Sequence, residues 1–300
     1  MSHALLERAA GAPISWGVCE VPGWGLQLEP DRVLGDMRAL GLEATEAGPD
    51  GYLGSDAGTL RAHLSAHDLV LVGGFIGVVL HDPDRLTESL ERIGHSARLF
   101  AEAGGEVINI AAIVDDDWSP RIELTDAEWE HIAHALELAG EAADDAGVRH
   151  VLHPHWRTLV ERADDIRRIL DISDVSICLD TGHLTLGGYD PLELVRTSPE
   201  RIGHVHLKDV HEGTAAKLRD GSLGLVEAVQ QGLFQPLGAG EVAVDSIVGE
   251  LEQAGYPGWY VLEQDVAVSA TSPAPAADVR RSIDFLSRVD GREVSGTKSR

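Results

Sequence analysis

The sequence predicts an α/β fold, a (β/α)8 barrel with its polar chemistry at one end. Three observations carry this expectation. Short apolar, β-branched segments alternate with helix-like segments along the chain, with no long linker between them. A glycine recurs where a helix hands over to a strand, at Gly41, Gly104, Gly147 and Gly255. The strands finish in carboxylate, imidazole or ammonium side chains, the end at which barrels of this kind gather reacting groups.

The elements follow in order. Pro13-Ile-Ser-Trp-Gly-Val18 is apolar and reads as the first strand, with Trp24 after it between two glycines. Pro30 and Asp31 open a helix whose Val33, Leu34, Met37 and Leu40 share one face, and Gly41 ends it. Gly41 to Glu46 is the second strand, and a helix from about Asp56 to His67 leads to the third, Leu69 to Phe75. A helix from Asp84 to Ala103 stops at Gly104-Gly105 before the fourth strand, Glu106 to Ile110. Thr125 and Glu128 have capping-box spacing ahead of Trp129, Ile132 and Leu136 on one helical face. Val148 to His153 is the fifth strand, followed by a helix over Arg162 to Leu170. The sixth strand lies in Val175 to His183 and the seventh in Ile202 to Asp209, with an Asp190-Pro191 helix start between them. Val210 to Val242 is too long for an ordinary loop and is expected to be a lid, a subunit contact or a disordered segment. A helix from Asp245 to Ala254, an eighth strand from Gly258 to Leu262 and a helix from Ala276 to Arg288 close the barrel. One domain is expected over residues 1–288, with a polar, disordered tail at 289–300.

A formal charge of -26 argues against nucleic acid or an anionic membrane as partner, since either needs a basic footprint. Lysine occurs only at Lys208, Lys217 and Lys298, so a lysine at a strand end stands out. Cys19 and Cys178 have no zinc-type spacing and fit a reducing compartment. No signal-peptide pattern precedes Gly11 and no apolar run is long enough to span a membrane, so a soluble, cytoplasmic protein is expected.

The strand ends offer the chemistry. Asp180 and His183 lie three apart just past the sixth strand, where a turn can aim both inward; a solvated turn is the competing reading. His204, His206 and Lys208 share one strand face by the two-residue period, so that face needs a polar cavity or internal partners. His153 and His155 repeat the spacing on strand five, with Glu161 just beyond, and Glu263 and Asp265 end strand eight. Glu46 ends strand two. Carboxylates and imidazoles at four neighbouring strand ends make a hard-to-borderline site for Mn, Co, Mg or Zn, with room for a substrate oxygen.

These residues resemble those of the xylose-isomerase-like TIM-barrel superfamily of sugar isomerases and epimerases, and within it the inosose (2-keto-myo-inositol) dehydratase branch. The resemblance spans nearly the whole chain. It rests on Ala12-Pro-Ile-Ser-Trp-Gly17, His153-Pro-His-Trp-Arg-Thr158, Leu179-Asp-Thr-Gly-His183, His204-Val-His-Leu-Lys-Asp-Val210, Gly232-Leu-Phe-Gln-Pro-Leu-Gly238 and Gly255-Tyr-Pro-Gly-Trp259. It implies metal ligands at Asp180, His206 and Glu263, with Mn or Co favoured. The superfamily's strand-five glutamate is missing at its usual place, where the sequence offers His153 and His155, so the fourth ligand falls to one of these imidazoles or to Glu161. The resemblance also implies that His183 holds substrate oxygens and that barrels of this kind often pair as homo-oligomers; Trp16, Glu46, His155 and Lys208 are further expected to face substrate. For the reaction it implies α-proton abstraction from a keto-polyol by Glu263 or a strand-five group such as His155. His183 or Lys208 then protonates the departing hydroxyl. Isomerisation or epimerisation of a keto-sugar, or a barrel without turnover, are the other readings.

Overall fold

The structure, a computed structural model, describes residues 5–269 and 274–296. Among these residues, eight parallel strands close into a barrel. They are β1 (Ala9–Gly11), β2 (Ala44–Glu46), β3 (Val70–Val79), β4 (Val107–Ile113), β5 (Arg149–Leu152), β6 (Ile177–Asp180), β7 (Ile202–Leu207) and, past a ribbon of β8 (Asp209–Val210) and β9 (Phe234–Gln235), β10 (Tyr260–Leu262). Strands neighbour one another in chain order, and β10 closes the ring between β7 and β1. The outer layer comprises α1 (Pro30–Ala39), α2 (Ala57–Ala66), α3 (Leu86–Ala103), α4 (Asp126–Asp144), α5 (Ala163–Ile172), α6 (Thr181–Leu186) and α7 (Pro191–Thr197). It continues with α10 (Val244–Ala254) and α11 (Ala276–Gly296), while α8 (Glu212–Arg219) and α9 (Leu225–Gln230) lie in the segment between β8 and β9.

Local chemistry sets these boundaries. Gly41, Gly104, Gly147 and Gly255 have φ of 90°, 91°, 81° and 78°, a left-handed turn that lets the chain leave a helix and enter the next strand without a Cβ clash. The capping box forms: Glu128 N–H donates to Thr125 Oγ1, and Glu128 Oε2 accepts the Thr125 N–H at 2.6 Å. Asp190 caps α7 through the Leu192 N–H. Inside the barrel, Ala10, Ala44, Val72, Val107, Val151, Cys178 and Val261, from seven of its strands, form a plug of small residues. The main apolar core lies between the strands and the helices.

Four expectations change. The first strand is Ala9–Gly11, and Pro13–Trp16 is a 3-10 turn ending at Gly17, whose φ is 80°. Ala-Ala-Gly carries no β-branched signal because Ala10 fits the plug of small residues and a Cβ on Gly11 would stand 3.0 Å from Met37 and 3.2 Å from Leu42. The third and fourth strands run further than expected, to Val79 and Ile113. The last helix runs past Arg288 to Gly296; the remainder of the expected tail, 297–300, lies outside the described residues.

The fourth change concerns 210–242, which is neither open loop nor disorder. It carries α8 and α9 and an antiparallel ribbon pairing Asp209 with Gln235 and Val210 with Phe234. Ala215, Leu218, Ala228, Val229, Leu233 and Phe234 pack with Trp24 and Leu186 into a second core, separate from the barrel's. This roof hangs from one buried carboxylate. Asp209 Oδ1 accepts the N–H groups of Val210 (2.9 Å) and Val242 (3.0 Å), and Oδ2 those of Gly238 (2.8 Å) and Gly240 (3.0 Å). A Cβ on Gly240 would stand 2.4 Å from Asp209 Oδ1, so the approach requires glycine. Among the described residues no helix is long and apolar enough to cross a membrane.

Candidate active site

The Asp180-Thr-Gly-His183 phrase turns from β6 directly into α6, and each of its residues has a task. Asp180 caps α6 by accepting the His183 N–H on Oδ1 at 2.7 Å, which leaves Oδ2 pointing elsewhere. The Thr181 hydroxyl donates to the Lys208 carbonyl at 2.7 Å and accepts the Lys208 N–H at 2.8 Å, locking two strand ends together. Gly182 leaves room for the Lys208 stem, whose carbons lie 2.6–2.9 Å from where a Cβ would stand. The His183 ring lies with Nε2 3.1 Å from Lys208 Nζ and stacks on His155 at 3.7 Å between centroids.

Asp180 Oδ2 lies 3.4 Å from His153 Nε2 and 3.6 Å from His206 Nδ1, and His206 Nδ1 lies 2.5 Å from Glu263 Oε2. All four atoms are buried and none has a hydrogen-bond partner. Unpaired buried polar atoms are costly and rare, and four converging ones need a common explanation. Donor atoms of Asp180, His206 and Glu263 lie within 4.8 Å of one another, spacing that a single ion can bridge. Burial opposes charge on the two acids. Even so, Lys208 and then His183 hold Asp180 well below the usual carboxylate range, and His206 and Lys208 hold Glu263 at about 2. Two anionic oxygens and two imidazole nitrogens therefore fit a divalent ion of borderline character.

Strand five contributes His153 to this group. Glu161 stays out of it: its Oε2 accepts the Arg157 N–H at 2.6 Å, and it belongs to none of the ligand clusters among the described residues. Glu46 is buried rather than open to the mouth. Its Oε1 accepts from Asn109 Nδ2 (2.8 Å), His204 Nε2 (2.9 Å) and His206 Nε2 (3.1 Å). Burial opposes its charge, but His206 and His204 outweigh it and keep Glu46 well below the usual range. Trp16 is fully buried in the main core, and its Nε1 has no partner.

Lys208 is buried yet charged: Asp180, Asp265 and Glu263 together overcome burial and raise its pKa. Asp265 Oδ1 lies 2.8 Å from Nζ, and burial pushes that carboxyl up to about 6. The roof adds Phe234, whose ring faces Nζ at 4.9 Å. His155 lies among Phe75, Trp118 and His183, its pKa pushed down to about 3 by burial, so it is a neutral ring in an aromatic wall. Ser15 ties the first turn to the strand that carries Glu263, donating to the Leu262 carbonyl and accepting the Gln264 N–H.

Sequence reasoning did not assign Phe75, Trp118, Phe234, Thr181, Gly182 or Ser15. For Trp118 the available signal was an aromatic residue in the segment following a strand end; Phe75 lies inside β3 and Phe234 in the ribbon strand β9.

Comparison with known proteins agrees with this architecture. The model of the xylose isomerase-like TIM barrel family matches residues 34–289. An inosose dehydratase of Geobacillus kaustophilus is 35% identical over 276 residues, covering 87% of this chain and 89% of its own length. One from Lacticaseibacillus casei is 29% identical over 276 residues, covering 87% and 91%. Among solved structures, an L-ribulose 3-epimerase superposes with a TM-score of 0.71 at 18% identity, covering 98% of each chain. A D-allulose 3-epimerase from Methylomonas sp., in complex with D-allulose, gives 0.64 at 14% identity, covering 96% of each. The family match over most of its length and the closed eight-stranded barrel place this chain in the xylose isomerase-like TIM barrel family.

Proposed function

We propose that this chain is a divalent-metal-dependent dehydratase of a cyclic keto-polyol, 2-keto-myo-inositol or a close relative. The observation that carries the reading is the meeting of four ligand atoms that lack hydrogen-bond partners with a charged, buried lysine at the strand ends. The inosose dehydratase relatives supply the substrate class. Asp180, His206, Glu263 and His153 would hold the ion, and their mixed oxygen and nitrogen donors favour Mn or Co over Mg. Bound there, it supplies Lewis-acid stabilisation of negative charge developing on a ketone oxygen.

The chain's own groups divide the remaining work. Glu263 is the most open of the candidate ligands, 13% exposed, and is the base that takes the α-proton. Neutral His155, whose Nδ1 is held by the Trp156 carbonyl, presents Nε2 to a substrate hydroxyl, and His183, held by the Trp156 N–H and by Lys208 Nζ, positions that ammonium beside it. Lys208 carries the proton that leaves with the β-hydroxyl, because burial first, then His155 and Lys208, depress His183 too far for it to be charged. One C–H and one C–O bond break, a C=C forms, and the hydroxyl departs as water. The aromatic wall of Phe75 and Trp118, together with Phe234, screens the site from bulk solvent.

The test is to incubate metal-loaded protein with 2-keto-myo-inositol and follow the absorbance of the dehydrated dione. Its appearance, lost in Glu263→Gln, supports the reading. Solvent deuterium in returned or epimerised substrate without water loss would replace it with epimerisation.

A further inference from the structure

We infer that Glu46 is a positioning residue that selects which nitrogen of His206 faces the ion and so tunes how tightly the ion is held. This rests on the metal-dependent reading above and extends it to a residue outside the ligand set. His206 has two ring nitrogens with different neighbours. Nε2 is 3.1 Å from Glu46 Oε1, and Nδ1 is 2.5 Å from Glu263 Oε2 and 3.6 Å from Asp180 Oδ2. A carboxylate oxygen can only accept, so the Nε2 atom next to Glu46 must carry a proton. Nδ1 stands the same way to Glu263 Oε2, and an ion between Asp180 and Glu263 would take the Nδ1 lone pair in place of the proton shared there. A histidine ligand whose second N–H is held by a carboxylate is fixed in tautomer and ring angle and made more basic.

Two other donors keep Glu46 in place. His204 Nε2, at 2.9 Å, lies one strand period below His206, and Asn109 Nδ2, at 2.8 Å, comes from β4. Three donors on one oxygen leave Oε1 no freedom to turn toward substrate. The arrangement also explains why β7 carries two histidines on one face: the upper one is aimed at the ligand cluster and the lower one steadies the carboxylate that orients it.

The experiment uses the full chain and two readouts other than turnover. Long-range ¹H–¹⁵N spectra of the wild-type protein loaded with Zn²⁺ should show His206 protonated at Nε2, with the ion on Nδ1. The inference is overturned if the ion sits on Nε2. Titration with Mn²⁺ or Co²⁺ should show Glu46→Gln binding about 10- to 100-fold more weakly than wild type, with the melting transition retained. Unchanged affinity in folded Glu46→Gln also overturns it. Should that variant fail to fold, the wild-type spectrum alone decides. If wild type binds no divalent ion, the metal-dependent reading and this inference fall together. If it binds normally but with the other tautomer, only the inference falls.

Discussion

The floor and the roof of the site are each fixed by one buried carboxylate, and the two carboxylates have opposite kinds of partner. Glu46, in the floor, is bound by side chains: two imidazoles and an amide. Asp209, in the roof, is bound by four backbone N–H groups. Side-chain partners can change tautomer and transmit an effect to the candidate ion site, whereas backbone partners have no alternative state and serve only to hold shape. The floor is therefore built for chemistry and the roof for geometry, although both use the same functional group.

The most severe break in this comparison lies between them. Asp180→Ala should abolish divalent-ion binding and turnover while circular dichroism shows the barrel intact; retained turnover would refute the ligand assignment. Next in size, Asp209→Ala strands four buried or half-buried N–H groups and should destabilise the fold by about 3–5 kcal/mol in urea denaturation. A loss below about 1 kcal/mol would show that the roof does not hang from that side chain. Phe234→Leu sharpens the contrast from above: KM should rise about fivefold, the size of one lost cation–ring contact, with ion affinity unchanged. Altered ion affinity would join roof and floor and erase the distinction.

The smallest effect concerns pH. Burial is the leading cause that lowers the pKa of His81, His150, His153, His155, His183 and His204, whereas that of His206 is raised. A depressed pKa means that the unfolded chain takes up more protons as pH falls through about 6.5. Stability from these six groups is complete above that value and declines below it, and His206 works the other way as one group against six. The ion-free protein should lose a few degrees of melting temperature between pH 7.5 and 6, a loss that the Asp265 carboxyl, taking up a proton in the folded state at about 6, offsets only in part. A flat or rising melting temperature over that interval contradicts the burial of neutral histidines.

Much of this was legible in the sequence where a residue's environment is set by its own strand or helix. Helix-ending glycines, the Thr125 box and the polar strand ends are such local features, and they carried the barrel and the Asp180, His206 and Glu263 group. What was not legible depends on long-range packing. Ala9–Gly11 is a strand because of what surrounds it inside the barrel. The roof's helices bury their apolar faces on one another, so a scan for barrel units finds only an overlong gap. Glu161 and His153 were equal candidates by position, and a hydrogen bond from Arg157 separates them. Glu46 looked like one more strand-end acid; three donors from β4 and β7 give it another place.

The separate apolar core of the roof has a consequence for exchange of parts. Residues 210–242 meet the barrel through the Asp209 anchor, through hydrogen bonds from Gln264 Nε2 to the Phe234 carbonyl and from the Leu237 N–H to Ser282 Oγ, and through apolar contacts that include Leu237 and Val242, while the candidate ion ligands all sit on barrel strands or their immediate ends. A graft that keeps Asp209 and its glycine partners could carry a different helical pair, and with it a different ring over Lys208, without moving a single ligand atom. In such a scaffold the choice of substrate and the machinery that acts on it can diversify at separate rates.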